Sequence, residues 1–128
     1  SVFLASPKPF YYTASRTDGS FTPIGTSWQT IHSFVTDGNP RNISMDFSVE
    51  WAKAWGDRDY GMRILVNGAV VREFTRKGGG GSNEEHLLAL FPGTQVPANS
   101  TISFQGFSSD PWAGNDRRYR NWSVSAFS

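Results

Sequence analysis

Ile43-Ser44-Met45-Asp46-Phe47-Ser48-Val49-Glu50-Trp51 alternates large apolar and polar residues without a miss. Successive side chains of a strand point to opposite faces, so this stretch reads as a half-buried β-strand, one face in the core and one in water. Ile102-Ser103-Phe104-Gln105-Gly106 and Trp122-Ser123-Val124-Ser125-Ala126 repeat the pattern, as expected of antiparallel sheets wet on one side. Met62-Arg63-Ile64-Leu65-Val66 and Ala69-Val70-Val71-Arg72-Glu73-Phe74 flank Asn67-Gly68, the dipeptide suited to the positive φ angles of a type I′ hairpin turn. A strict two-residue loop sets Glu73 opposite Met62 on one face, so a bulge or a longer loop is expected. Weaker strand signals cover Phe10 to Ser15, Trp28 to Thr36 and Leu87 to Phe91.

No segment carries an apolar stripe at helical spacing, and Gly, Pro, Asn and Asp cut the chain at short intervals. The fold class is therefore all-β, an antiparallel β-sandwich or jelly roll of about seven to eight strands. The 128 residues suit one domain over 1–128, with 1–9 as an N-terminal arm and 77–83, around Gly78-Gly79-Gly80-Gly81-Ser82, as a flexible glycine-rich loop.

The chain has no cysteine, which excludes a disulfide framework, a thiolate metal site and a cysteine nucleophile. A net charge of +1 gives no long-range field to draw in nucleic acid. No apolar run is long enough to span a bilayer, and the start of the sequence lacks a basic segment followed by an apolar one of signal-peptide length. Asn42, Asn99 and Asn121 each open an Asn-x-Ser/Thr triplet, a motif expected by chance in a chain rich in Ser and Thr.

Trp55-Gly56-Asp57-Arg58-Asp59-Tyr60 and Trp112-Ala113-Gly114-Asn115-Asp116-Arg117-Arg118-Tyr119 share an order of Trp, Gly, Asp, Arg and Tyr. Trp55, Tyr60, Trp112 and Tyr119 offer flat surfaces for stacking on sugar rings, and Asp57, Asp59, Asn115 and Asp116 offer groups for their hydroxyls. The same residues, with Arg58 and Arg117, suit a subunit interface. They also suit a plain role, with aromatic rings capping the core and surface ion pairs of small worth.

Asp57, Asp59, Asp110, Asn115 and Asp116 are oxygen ligands of the kind calcium takes, but no calcium-loop spacing joins them, and no metal is expected. His32 and His86, the two histidines, belong to no zinc or catalytic motif, so neither catalysis nor a cofactor is expected. Arg117-Arg118-Tyr119-Arg120 mixes charge with an aromatic ring, yet Asp110 and Asp116 lie close, and a solvated loop is the expectation.

Ile64-Leu65-Val66-Asn67-Gly68, Val96-Pro97-Ala98-Asn99-Ser100-Thr101-Ile102-Ser103-Phe104 and the final strand Trp122 to Phe127 resemble the jelly-roll domains of the complement-C1q and tumour-necrosis-factor type and similar domains of bacteriophage tail proteins. Many such domains carry Gly-Asp before the strand near Thr101, where this chain has Asn99-Ser100. The resemblance implies a virion or cell-surface module, commonly a homotrimer that presents loops to a receptor or a neighbouring structural protein; the lack of cysteine and of a signal-peptide pattern favours a phage structural protein, a tail or capsid-decorating component acting in host-surface attachment or assembly with other virion proteins. The alternative is a stand-alone carbohydrate-binding module or lectin, secreted or extracellular, with a host-surface glycan as partner.

Overall fold

The computed structural model describes residues 8–81, 83–113 and 116–128. They form nine strands and no helix: β1 Tyr11–Arg16, β2 Thr22–Pro23, β3 Gln29–Val35, β4 Arg41–Trp51, β5 Asp59–Val66, β6 Ala69–Lys77, β7 Glu85–Val96, β8 Thr101–Ser108 and β9 Arg118–Phe127. The two-residue β2 raises the number above expectation; it is too short to leave a periodic signal. One sheet has the order β1-β9-β4-β7 with β2 added on β9, and the other the order β3-β8-β5-β6. Setting β2 aside, these are the interleaved orders of an antiparallel jelly roll.

β4 behaves as its alternation demands. Ile43, Met45, Phe47, Val49 and Trp51 are all buried, while Ser44, Asp46, Ser48 and Glu50 face outward. Phe47 meets Phe104 of the opposite sheet edge-on at 5.3 Å, and Trp51 meets Tyr60 at 5.3 Å. Burial of each such large side chain contributes about 1.5–3 kcal/mol, so the two inner faces hold the sandwich together.

The β5–β6 hairpin has the two-residue turn its sequence calls for, with φ of 50° at Asn67 and 84° at Gly68. The expected bulge is present too. The register passes from Leu65↔Val70 to Ile64↔Arg72, which leaves Val71 as the extra residue and sets Phe74, not Glu73, opposite Met62. The apolar pair thereby stays on the core side.

The Asn99-Ser100 departure has a local explanation. Asn99 adopts a φ of 56°, which Asn tolerates better than most residues. The buried Ser100 donates its amide to Thr36 Oγ1 at 2.9 Å and its hydroxyl to the Pro97 carbonyl at 2.6 Å.

At one end of the sandwich β1 and β9 bring the described termini together, with Tyr11 paired to Phe127 and the Ser128 amide donating to the Phe10 carbonyl at 3.0 Å. At the other end lie the crossing 17–28 and the described residues of the loops 52–58, 78–84 and 109–117, among them Trp55 and Trp112.

Candidate functional site

The loop end is a cross-linked unit. The Ser109 amide donates to the Asp59 carbonyl at 2.9 Å and Ser109 Oγ accepts the Asp59 amide at 2.8 Å, tying the 52–58 and 109–117 loops at their bases. Asp110 is wholly buried. Its Oδ1 accepts the Trp112 amide at 2.8 Å, and its Oδ2 lies 3.4 Å from Arg58 Nε. Arg117 donates from Nε to the Ile24 carbonyl at 2.7 Å and from Nη1 to the Asp110 carbonyl at 2.9 Å, which draws in the 17–28 crossing.

The glycine run belongs to the same unit. The Gly78 amide donates to the Arg58 carbonyl at 3.1 Å, the Gly80 amide to the Ala54 carbonyl at 3.2 Å, and the Ala54 amide to the Asn83 carbonyl at 2.8 Å. A Cβ on Gly78 would sit 2.3 Å from the Ala54 carbonyl oxygen and 2.5 Å from that of Trp55, so this position needs glycine for close approach of two backbones. Composition alone pointed to flexibility; Ser82 lies outside the described residues.

The sequence-derived site residues divide sharply. Trp112 is 66% exposed, Trp55 is half-buried and Asp57 is exposed. Tyr60 is fully buried and Tyr119 retains only 8% exposure. Their rings pack against Trp51 in the core, at 5.3 and 6.3 Å. Neither ring presents a face for stacking on a ligand. Tyr60 donates its hydroxyl to the Lys53 carbonyl at 3.1 Å, and burial, with the Asp110 charge second, pushes its phenol up to about 12. Asn115 lies outside the described residues.

Each described carboxylate of the two segments faces a cation. Asp57 pairs with Arg58 at 2.6 Å, Asp59 with Lys77 at 2.7 Å, and Asp116 with Lys53 at 3.1 Å. Among the described residues no group of three His, Cys, Asp or Glu side chains is placed to hold a metal ion. Arg118 and Arg120, expected in a solvated loop entering the last strand, lie at the start of β9 and over the Phe21 ring at 4.4 and 4.3 Å. In the sequence Asp110 stands out as a possible calcium ligand and as an acidic neighbour of Arg117-Arg118-Tyr119-Arg120, and nothing in Ser108-Ser109-Asp110-Pro111 signals its bracing role.

No family model matches the chain, and no curated protein matches it by sequence. Solved structures match it by fold. The Gx-strain structure of infectious bursal disease virus gives a TM-score of 0.60 at 17% identity, over 95% of this chain and 32% of that one. A subviral particle of the same virus gives 0.59 at 16% identity, over 96% and 33%. Dimeric latent PorU from Porphyromonas gingivalis gives 0.53 at 14% identity, over 96% and 13%. The chain thus spans about a third of the virus-particle chains it matches, and the likeness is one of fold. Among the described residues no helix is long and apolar enough to cross a membrane.

Proposed function

We propose that this chain is a non-enzymatic jelly-roll module of a virion, a phage tail or capsid-decorating component that acts in host-surface attachment or assembly through the loop end bearing Trp55 and Trp112. The observation that carries this reading is Trp112, two-thirds exposed on a loop whose backbone a buried carboxylate pins. A braced, exposed tryptophan is the anchor that interface hot spots and sugar platforms share. The fold shared with virus-particle chains supports the virion setting, and the resemblance to C1q and tumour-necrosis-factor domains supports a homotrimer.

A second surface favours self-association. Tyr11 and Phe127 are register partners at one corner of the β1-β9-β4-β7 sheet, and Leu88 and Leu90 stand on its far edge; all four are exposed. Light scattering at micromolar concentration should return the mass of three chains, and the mass of one chain would remove the intrinsic trimer from the proposal.

The attachment reading is tested by glycan-array and whole-cell binding of the wild type beside Trp55→Ala and Trp112→Ala, with folding checked by circular dichroism. Binding lost in a folded variant supports attachment through these loops. A wild type that binds no glycan and no cell leaves assembly as the function.

A further inference from the structure

The loop end also holds a cleft of about 160 Å³ between the two sheets, lined by Thr22, Pro23, Ile24, Gln29, Thr30, Ile31 and Tyr119. Thr22 and Pro23 are held by pairing with Tyr119 and Arg118 of β9, and Gln29 to Ile31 open β3. The intervening turn is fixed as well. The Ile24 amide donates to the Arg117 carbonyl at 3.2 Å, and the Gly25 carbonyl accepts the Ser108 amide at 3.2 Å. The walls therefore stand in place before any ligand arrives, which lowers the ordering cost of binding.

Size limits the occupant. The cleft is far larger than one water needs and smaller than the roughly 300–1,000 Å³ of pockets for drug-sized ligands, so it suits a single ring. Chemistry limits it further. No lining residue is charged, and an ion brought into such a site would lose hydration with no counter-charge to replace it. Pro23, Ile24 and Ile31 give an aliphatic wall, while Thr22, Thr30, Tyr119 and Gln29 give hydroxyls and a carboxamide. Gln29 Oε1 accepts the Gly25 amide, which leaves Nε2 as the donor. Burial raises the Tyr119 phenol above its ordinary value, so the hydroxyl stays protonated and both donates and accepts.

We infer that this cleft binds one neutral pyranose residue, its C–H face on Ile24 and Ile31 and its hydroxyls on Tyr119, Thr22 and Gln29. The inference deepens the attachment reading and rests on it for the source of the sugar, the terminal residue of a surface glycan. Trp112, reached through Arg117 and Asp110, is then a neighbouring platform for the rest of that glycan.

The test is nuclear magnetic resonance of the ¹⁵N-labelled chain titrated with methyl glycosides of glucose, galactose and mannose up to about 100 mM, since one ring binds at roughly millimolar strength. Saturable shifts at Thr22, Gln29 and Ile31 are expected for at least one glycoside. Tyr119→Phe, which keeps the ring, should weaken binding about tenfold, and Thr22→Val several-fold. No saturable shift with any glycoside overturns the cleft. Shifts confined to the tryptophan loops and indifferent to Tyr119→Phe also overturn it, while leaving the attachment reading intact. A sialic acid glycoside that saturates the cleft equally well overturns the neutral-ligand assignment. Shifts at the cleft in a chain that binds no cell or glycan array uphold the cleft and defeat attachment instead.

Discussion

Asp110 sits wholly buried with Arg58 Nε 3.4 Å from its Oδ2. Because the other carboxylate oxygen holds the Trp112 amide, one side chain couples the two tryptophan loops. Removing one partner of a buried pair strands the other charge, at about 3–5 kcal/mol when both are fully buried. Arg58 keeps 23% side-chain exposure and a second partner in Asp57, so Asp110→Leu should cost less, about 2–3 kcal/mol in urea unfolding. Asp110→Asn keeps an acceptor for Trp112 and should lose about half as much. Equal losses in the two variants would show that the acceptor for the Trp112 amide contributes nothing and that the lost charge accounts for the whole effect.

Gly61 lies beneath two aromatic rings on the outer face of the β3-β8-β5-β6 sheet. A Cβ there would fall 2.1 Å from the Phe107 ring and 2.6 Å from the Trp28 ring, which meet edge-on at 4.6 Å with Arg63 over Trp28 at 4.3 Å. Gly61→Ala should therefore destabilise by about 1–3 kcal/mol through overpacking. Adding Phe107→Ala should cost less than the sum of the two single changes, a coupling that thermal melts of the double-mutant cycle would detect.

His32 bridges the sheets, its Nε2 lying 2.6 Å from the Tyr12 hydroxyl, with the Trp122 ring at 5.0 Å. Burial lowers its pKa below 6.5, so the unfolded chain takes up this proton at higher pH than the folded one. The contribution to stability is complete above 6.5 and declines as pH falls from there through the folded value. Asp18, held down first by the Ser20 amide, and Asp37, held down first by Arg41, sit below 3.8; their contributions are complete above that value and are lost in more acid solution. Urea midpoints should fall between about pH 7 and pH 5, and His32→Gln should remove most of that slope. An unchanged slope would assign it elsewhere.

Gly78→Ala should push the 52–58 loop outward, because its Cβ meets two backbone carbonyls and no flexible side chain. A loss of about 1–3 kcal/mol is expected, with faster hydrogen exchange at Ala54. Gly38→Ala, with nothing within 4 Å of the added Cβ, should be close to neutral in the same assay.

The strands that sequence exposed are those whose parity stays unbroken. β4 keeps its alternation from end to end. β7 was legible only from Leu87 to Phe91, yet it runs from Glu85 to Val96, because Pro92-Gly93 hides its second half. A register shift there, between Met45↔Phe91 and Ile43↔Thr94, accommodates the proline on a sheet edge, and the missing Cβ of Gly93 makes room for Asn42. β9 is legible in the sequence only from Trp122 to Phe127. Its bulge opposite β4, with Asn121 at a φ of 46°, breaks the parity between Tyr119 and Val124, so the buried state of Tyr119 left no periodic trace. Tyr60 did leave one, sharing parity with the buried Met62 and Ile64, but its place beside a loop rich in Asp and Arg outweighed it. The brace formed by Asp110 joins segments distant in sequence, where no local pattern operates.

The pairing of Tyr11 with Phe127 fixes how this unit can be mounted. β9 climbs away from the tryptophan end before it reaches Phe127, and β1 sets out beside it, so both described ends of the chain emerge together at the far pole. A tether fused to either end, or a host chain entering by one and leaving by the other, meets the sandwich at a single foot. Trp55, Trp112 and the cleft then point outward from whatever carries it, as a lamp does from its post.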